Sequence, residues 1–185
     1  MGKIILTMQL SLDSVVSDEH LWMMLSEEIL EDYLDYYNTV DTIMVGKNSY
    51  ASLAEYWQQA ENSSNDLERA IARRMNEIPK VVISHSEVDL VWRNSEQILV
   101  TDEETLAREL EALKNRVNQI SVESGAKTWQ TFIQNELYDE LWLLVHPVIA
   151  SQGDKLFALA DKQQSLRLID NKTYQNGVIG LHYQK

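Results

Sequence analysis

The spacing of apolar positions changes repeatedly along the chain, and each change marks an element. Ile4, Ile5, Leu6, Met8 and Leu10 make Lys3 to Leu10 a first strand, followed by a polar loop from Ser11 to His20. From about Ser26 to Tyr37 the period lengthens to three and four. Ile29, Leu30, Tyr33, Leu34 and Tyr37 share one helix face, and Glu27, Glu28, Glu31, Asp32 and Asp35 share the other. Thr42 to Val45 is a short strand that stops at Gly46, after which Asn48-Ser49 can cap a helix toward Trp57. Asn65-Asp66-Leu67-Glu68 has capping-box spacing, with Leu67, Ile71 and Met75 on one face behind it. Pro79 opens a strand over Lys80 to Ser84, whose Val-Val-Ile run suits a place buried on both faces.

A second box, Thr101-Asp102-Glu103-Glu104, precedes a helix marked by Leu106, Leu110, Leu113 and Val117. Ile120 to Val122 is again a strand; it ends at Ser124-Gly125, and Trp129, Phe132 and Ile133 mark the next helix. Such alternation implies right-handed crossovers and a largely parallel sheet. The tail differs: Leu141 to Val145 continues the sheet, and Leu166 to Tyr174 and Val178 to Tyr183 flank the hairpin signal Asn176-Gly177. The expectation is one α/β domain over residues 1–185. It is a three-layer α/β/α architecture whose mixed sheet is mostly parallel, with an antiparallel C-terminal hairpin edge.

Composition sharpens this picture. With 44% hydrophobic and 24% charged residues, 185 residues can bury one substantial core, and two prolines with six glycines leave no linker. The net charge of −13 argues against neutralising nucleic-acid phosphates or adhering to an anionic membrane. Zero cysteines exclude disulfides and thiolate metal sites. His20, His85, His146 and His182 stand singly, so no metal site is expected. Gln9, Ser11 and Asp13 interrupt the apolar start before a signal core is complete, and no apolar stretch nears a bilayer span; the expectation is a cytoplasmic protein.

Neither a Gly-x-Ser-x-Gly elbow, a Walker loop nor a Gly-x-Gly-x-x-Gly fingerprint occurs. Three turns nevertheless put small or hydroxyl residues at strand ends: Gly46-Lys47-Asn48-Ser49, Ser84-His85-Ser86 and Ser124-Gly125-Ala126-Lys127-Thr128. In a parallel sheet such turns gather along the carboxyl edge, where free N–H groups favour an anionic ligand; taken alone, each is also an ordinary cap.

Gln9-Leu10-Ser11-Leu12-Asp13-Ser14, Val45-Gly46-Lys47-Asn48-Ser49-Tyr50 and Pro79-Lys80-Val81-Val82-Ile83-Ser84 resemble the dihydrofolate reductase-like superfamily. So do Ser124-Gly125-Ala126, Leu137 to Leu141, His146-Pro147-Val148-Ile149 and Gly153-Asp154-Lys155-Leu156-Phe157. The branch most resembled is the C-terminal reductase domain of the riboflavin-pathway deaminase/reductase, here as a stand-alone chain. The resemblance implies NADPH, with NADH possible, a homodimer, and hydride transfer to a heteroaromatic or sugar-derived carbonyl substrate. By position, Gly46, Lys47, Asn48 and Ser49 would hold the pyrophosphate and adenosine side. Ser84, His85 and Ser86 would meet the adenine ribose and its 2′-phosphate; Ser124, Gly125, Ala126, Lys127 and Thr128 would meet the pyrophosphate and nicotinamide ribose. The loop from Leu12 to Trp22 would cover the substrate, with Asp13, Val16 and Trp22 beside it, and Glu27, Glu31 or Asp13 would serve catalysis.

Four departures stand out: Ser14 for glycine, Lys47 for arginine, His85 for arginine, and Ser124-Gly125 for a Gly-Gly pair that dihydrofolate reductases join by a cis bond. Serine resists the positive φ that glycine permits, lysine loses the bidentate fork, and a non-proline cis bond costs about 2.5–4 kcal/mol. These changes motivate a second reading, a binding protein that keeps the fold but has lost the nicotinamide site.

Overall fold

Fourteen segments of regular structure follow from these local preferences, in a computed structural model that describes all 185 residues. In chain order they are β1 (Lys3–Ser11), a 3-10 turn (Glu19–Leu21), α1 (Glu27–Thr39), β2 (Thr42–Gly46), α2 (Lys47–Ala60), α3 (Asp66–Glu77) and β3 (Lys80–Ser84). Then come β4 (Ser95–Leu99), α4 (Glu103–Lys114), β5 (Gln119–Val122), α5 (Ala126–Gln134), β6 (Glu140–His146), β7 (Arg167–Thr173) and β8 (Ile179–Gln184). The eight strands make a mixed sheet, mostly parallel with an antiparallel hairpin at one edge, as the sequence predicts. The chain divides into two compact units, Met1–Gly2 with Glu27–Ser124, and Lys3–Ser26 with Gly125–Lys185.

In the first unit all strand pairs are parallel, in the order β4-β3-β2-β5. Every residue of β2 is buried. Ile43, Val45, Val82, Tyr50, Ile71 and Met75 belong to one core, against which Tyr33, Leu34 and Trp57 pack in part. Strand β4 is absent from the sequence reading, because Ser95–Leu99 carries one β-branched residue and is half or fully exposed at a sheet edge. Helix α3 starts as read: Asn65 accepts from the N–H groups of Leu67 and Glu68 at 2.9 and 3.1 Å. Glu68 does not close the box; it takes the Tyr56 hydroxyl at 2.5 Å and the Ser63 hydroxyl instead. Helix α4 is capped by Asp102 rather than Thr101, through Thr105 N–H at 2.7 Å.

The far end of α3 is closed by a residue that the strand pattern conceals. Lys80 is fully buried, and its Nζ donates to Asn76 O at 2.7 Å and Arg93 O at 3.1 Å, 4.7 Å from the Trp92 ring centre. Arg93 Nε and Asn94 Nδ2 also donate to Asn76 O, while Trp92 Nε1 donates to Asn76 Oδ1 at 2.5 Å. The last-turn carbonyls of a helix need such donors. Burial lowers the Lys80 amine to about 7, with Arg93 adding to the fall.

In the second unit β1 pairs parallel with β6, and β6-β8-β7 continue antiparallel. Glu140, buried on β6, bridges Lys3 on β1 at 3.1 Å and His182 on β8 at 2.8 Å. The hairpin closes through three residues rather than two: Tyr174 N–H bonds Val178 O, and Gly177 at φ +85° supplies the left-handed step. Each residue of β7 is exposed, and a bulge between Leu168 and Asp170 breaks its register.

Candidate functional site

Because β2, β3 and β5 run parallel, their carboxyl ends lie along one edge of the first unit, with Gly46 opposite Ile83 and Met44 opposite Val122. The turns leaving that edge are tied together. Gly46 N–H donates to Ser124 Oγ at 3.0 Å, and Lys47 Nζ donates to Ser86 Oγ at 2.6 Å and Glu87 O at 3.0 Å. Gln97 on β4 donates to Ser84 Oγ at 2.6 Å and Ser86 O at 2.8 Å, and Ser84 Oγ donates to Ser86 O. The His85 ring lies 2.6 Å from Val100 O through Nδ1, so that nitrogen donates to the carbonyl.

Helix α2 begins at Lys47 with Gly46 as its N-cap; no side chain caps it and no acid lies in its first turn. Asn48 and Ser49, expected as caps, therefore sit inside the helix. Helix α5 starts in the same way after Gly125, again without a side-chain cap or a first-turn acid. All peptide bonds are trans, including Ser124–Gly125, which corrects the cis bond considered there. Lys127 is exposed and Ala126 buried, with Thr128 between these extremes.

Glu27 and Glu31 occupy exposed positions on α1. The sequence reading passed over Glu123, at the end of β5 just before Ser124. Ser121 Oγ donates to Glu123 Oε1 at 2.6 Å, and Tyr36 donates to Ser121 at 2.8 Å. Burial, followed by the Glu123 charge, keeps the Tyr37 phenol protonated far above its usual range. The available signal was a carboxylate directly after a buried strand and before a Ser-Gly turn.

In the second unit Asp13 holds backbone. Its carboxylate accepts from Ser11 Oγ at 2.7 Å, Ala150 N–H at 2.9 Å and Ser151 N–H at 3.0 Å. The Ser11 hydroxyl, then these amides, hold it below the usual carboxylate range. Further bonds zip the loop after β1 to the 147–156 segment: Leu12 N–H to Val148 O, Val16 N–H to Asp154 O, and Leu156 N–H to Ser14 O. Ser14 adopts φ 69°, a left-handed conformation that ordinarily favours glycine. Val16 and Trp22 are buried; Trp22 Nε1 donates to Ser17 O, and its ring meets His146 edge-on at 5.5 Å. His146, also fully buried, accepts Met24 N–H on Nδ1 at 3.1 Å and reaches Gln9 Oε1 through Nε2.

Comparison with known proteins agrees with this architecture. The Bacillus subtilis (strain 168) protein named "Uncharacterized protein YyaP" is 26% identical over 185 residues, covering 98% of this chain and 94% of that one. A crystal structure of a putative riboflavin biosynthesis protein from Shewanella sp. PV-4 superposes with a TM-score of 0.73 at 17% identity, covering 98% of both chains. Acinetobacter baumannii RibD superposes at 0.68 with 15% identity, and this chain spans 58% of that protein. These likenesses show the fold. The model of the RibD C-terminal domain matches residues 2–179, nearly the whole sequence, and the chain belongs to that family.

Proposed function

We propose that this chain is an NAD(P)H-dependent reductase of riboflavin-pathway, pyrimidine-reductase type, acting on a small heteroaromatic or sugar-derived carbonyl substrate. The observation that carries the reading is the uncapped start of α2, with Lys47 in its first turn and two neighbouring strand-end turns bonded to it. Open helix N–H groups beside a cation fit a pyrophosphate. In this reading Gly46 to Ser49 hold the pyrophosphate and adenosine side, Ser84 to Ser86 the adenine ribose, and Ser124 to Thr128 the pyrophosphate and nicotinamide ribose. When bound, the nicotinamide supplies the hydride. Asp13 shapes the loop that covers the substrate, with Val16 and Trp22 as its buried anchors, while the exposed carboxyls of Glu27 and Glu31 are assigned to substrate orientation and protonation. NADPH is the expected cofactor by family resemblance; because Lys47 lacks a bidentate fork and histidine replaces arginine at His85, the 2′-phosphate is held less firmly and NADH is tolerated.

Titration with NADPH, followed by nicotinamide fluorescence at low salt, tests this reading; absence of saturation below millimolar concentration rejects it. A second reading has one observation in its favour: Lys47 Nζ is already bonded to Ser86 and to Glu87 O. In that reading the chain is a fold-retaining binding protein with a decayed cofactor site. The combined substitution Ser14→Gly, Lys47→Arg, His85→Arg and Ser124→Gly decides between decay, where NADPH affinity rises strongly, and a different ligand, where it does not. We assign the protein to the cytoplasm, in accord with the absence of any helix long and apolar enough to cross a membrane. A homodimer is also proposed, supported by Leu168, Ile169 and Ile179 left exposed on the terminal hairpin; sedimentation as a single chain would remove it.

A further inference from the structure

The loop between β1 and α1 is bonded on both sides of one residue. Met24 N–H donates to Nδ1 of His146 at 3.1 Å, and Met24 O accepts from Asn176 Nδ2 at 2.8 Å. A ring nitrogen that accepts an N–H carries no proton, so His146 is the neutral tautomer with its hydrogen on Nε2, directed at Gln9 Oε1 at 2.5 Å. The ring is fully buried with the Trp22 edge against it. An imidazolium here would turn Nδ1 into a donor facing another donor. We propose that His146 is a proton-operated latch: its neutral ring fastens the loop at Met24, and protonation unfastens it there, leaving Asn176 as the tether of Met24 while the bonds to the 147–156 segment hold the start of the loop.

The hydrogen-bond and ring partners of His146 carry no charge. Its neighbours are Gln9 from β1, Trp22 and the Met24 backbone from the loop, and, in the β1 ladder, Ser11 opposite. The loop's titratable groups are Asp13, Asp18, Glu19 and His20. Asp13 is bonded to Ser11 and the 150–151 backbone, and burial raises the Glu19 carboxyl from its usual range. Burial alone depresses the His146 imidazole. The unfolded chain therefore binds the proton first, and the latch's contribution is full above about pH 6.5 and fades as pH falls toward the depressed folded value. The contacts lie within the second unit, so the latch stands without a cofactor; only its bearing on turnover rests on the reductase reading, in which this loop covers the substrate.

Hydrogen exchange read by mass spectrometry on the full chain, without cofactor, tests it. Between about pH 7.5 and about pH 5, the peptide containing Met24 should lose protection about tenfold after correction for intrinsic rates. His146→Asn keeps an acceptor near Nδ1 that does not titrate, and should make protection independent of pH; Glu19→Gln should leave the pH response intact. Unchanged protection in the wild type, a persistent fall in His146→Asn, or loss of the fall in Glu19→Gln overturns the proposal. Should His146→Asn not fold, NMR of the wild-type ring decides: a hydrogen on Nε2 at neutral pH is expected, and one on Nδ1 overturns the latch. A failure of NADPH to bind would touch the reductase reading and leave these outcomes standing.

Discussion

Helices α2 and α3 follow one another in the chain and pack together, yet they treat their ends in opposite ways. Helix α3 is closed at both: Asn65 caps its start, with Asp66 and Glu68 in the first turn, and Lys80, Arg93 and Asn94 donate to its last-turn carbonyl. Helix α2 starts from a bare glycine, with no acid and one lysine in its first turn. Helices α4 and α5 repeat the contrast, with Asp102 capping the first and Gly125 leaving the second uncapped. A helix end satisfied from within serves the fold. An end left open is free to serve an anion, and it gives up roughly 1 kcal/mol of capping.

The sharpest way to break the contrast is to open the closed helix. Lys80→Ala removes a buried stem and two hydrogen bonds, and should cost about 3 kcal/mol in urea unfolding while NADPH affinity stays within twofold of wild type. Next, Lys47→Ala on the open helix should weaken NADPH roughly 10- to 100-fold, the worth of one charge-assisted bond, with little change in the urea midpoint. Asn65→Ala should lower stability by about 1 kcal/mol and leave binding unchanged; a matching loss of binding would mean that the two helices are not divided in this way. The smallest effect concerns pH. Thr105, through its backbone N–H first, holds Asp102 below its usual pKa, so the cap's contribution is present above about pH 3.9 and lost as pH falls through the lowered folded value. Acid unfolding of Asp102→Asn should lack that component.

The elements that the sequence makes legible are those with local causes. Asn65 and Asp102 announce helix starts through backbone hydrogen bonds within three residues, and Ile71, Met75, Leu106 and Leu110 are buried as their spacing predicts. Strand β4 escapes because edge strands need no apolar run, and Lys80 escapes because burying a lysine depends on carbonyls and a Trp92 ring brought in from elsewhere. The anion-ready turns at Gly46 and Ser124 are readable as a strand-to-helix pattern; their linkage through Ser124 Oγ and the place of Glu123 are not, since both arise from pairing of distant strands. Asp13 shows a related limit. Its residue type suits catalysis, but its three bonds come from Ser11 and a segment more than a hundred residues away.

Ser14, held at φ 69° by bonds to Ser11 O and from Leu156 N–H, bears on how the loop after β1 samples shapes. A left-handed serine costs about 1–2 kcal/mol of local strain, more than the roughly 0.4–1 kcal/mol it gains over glycine by restricting the unfolded chain. Serine is therefore the less stable choice at this φ, held there by the bonds around it. It also narrows the range of accessible conformations. The turn after β1 is thus built around a residue with few alternative conformations, bonded on one side to Ser11 and on the other to Leu156.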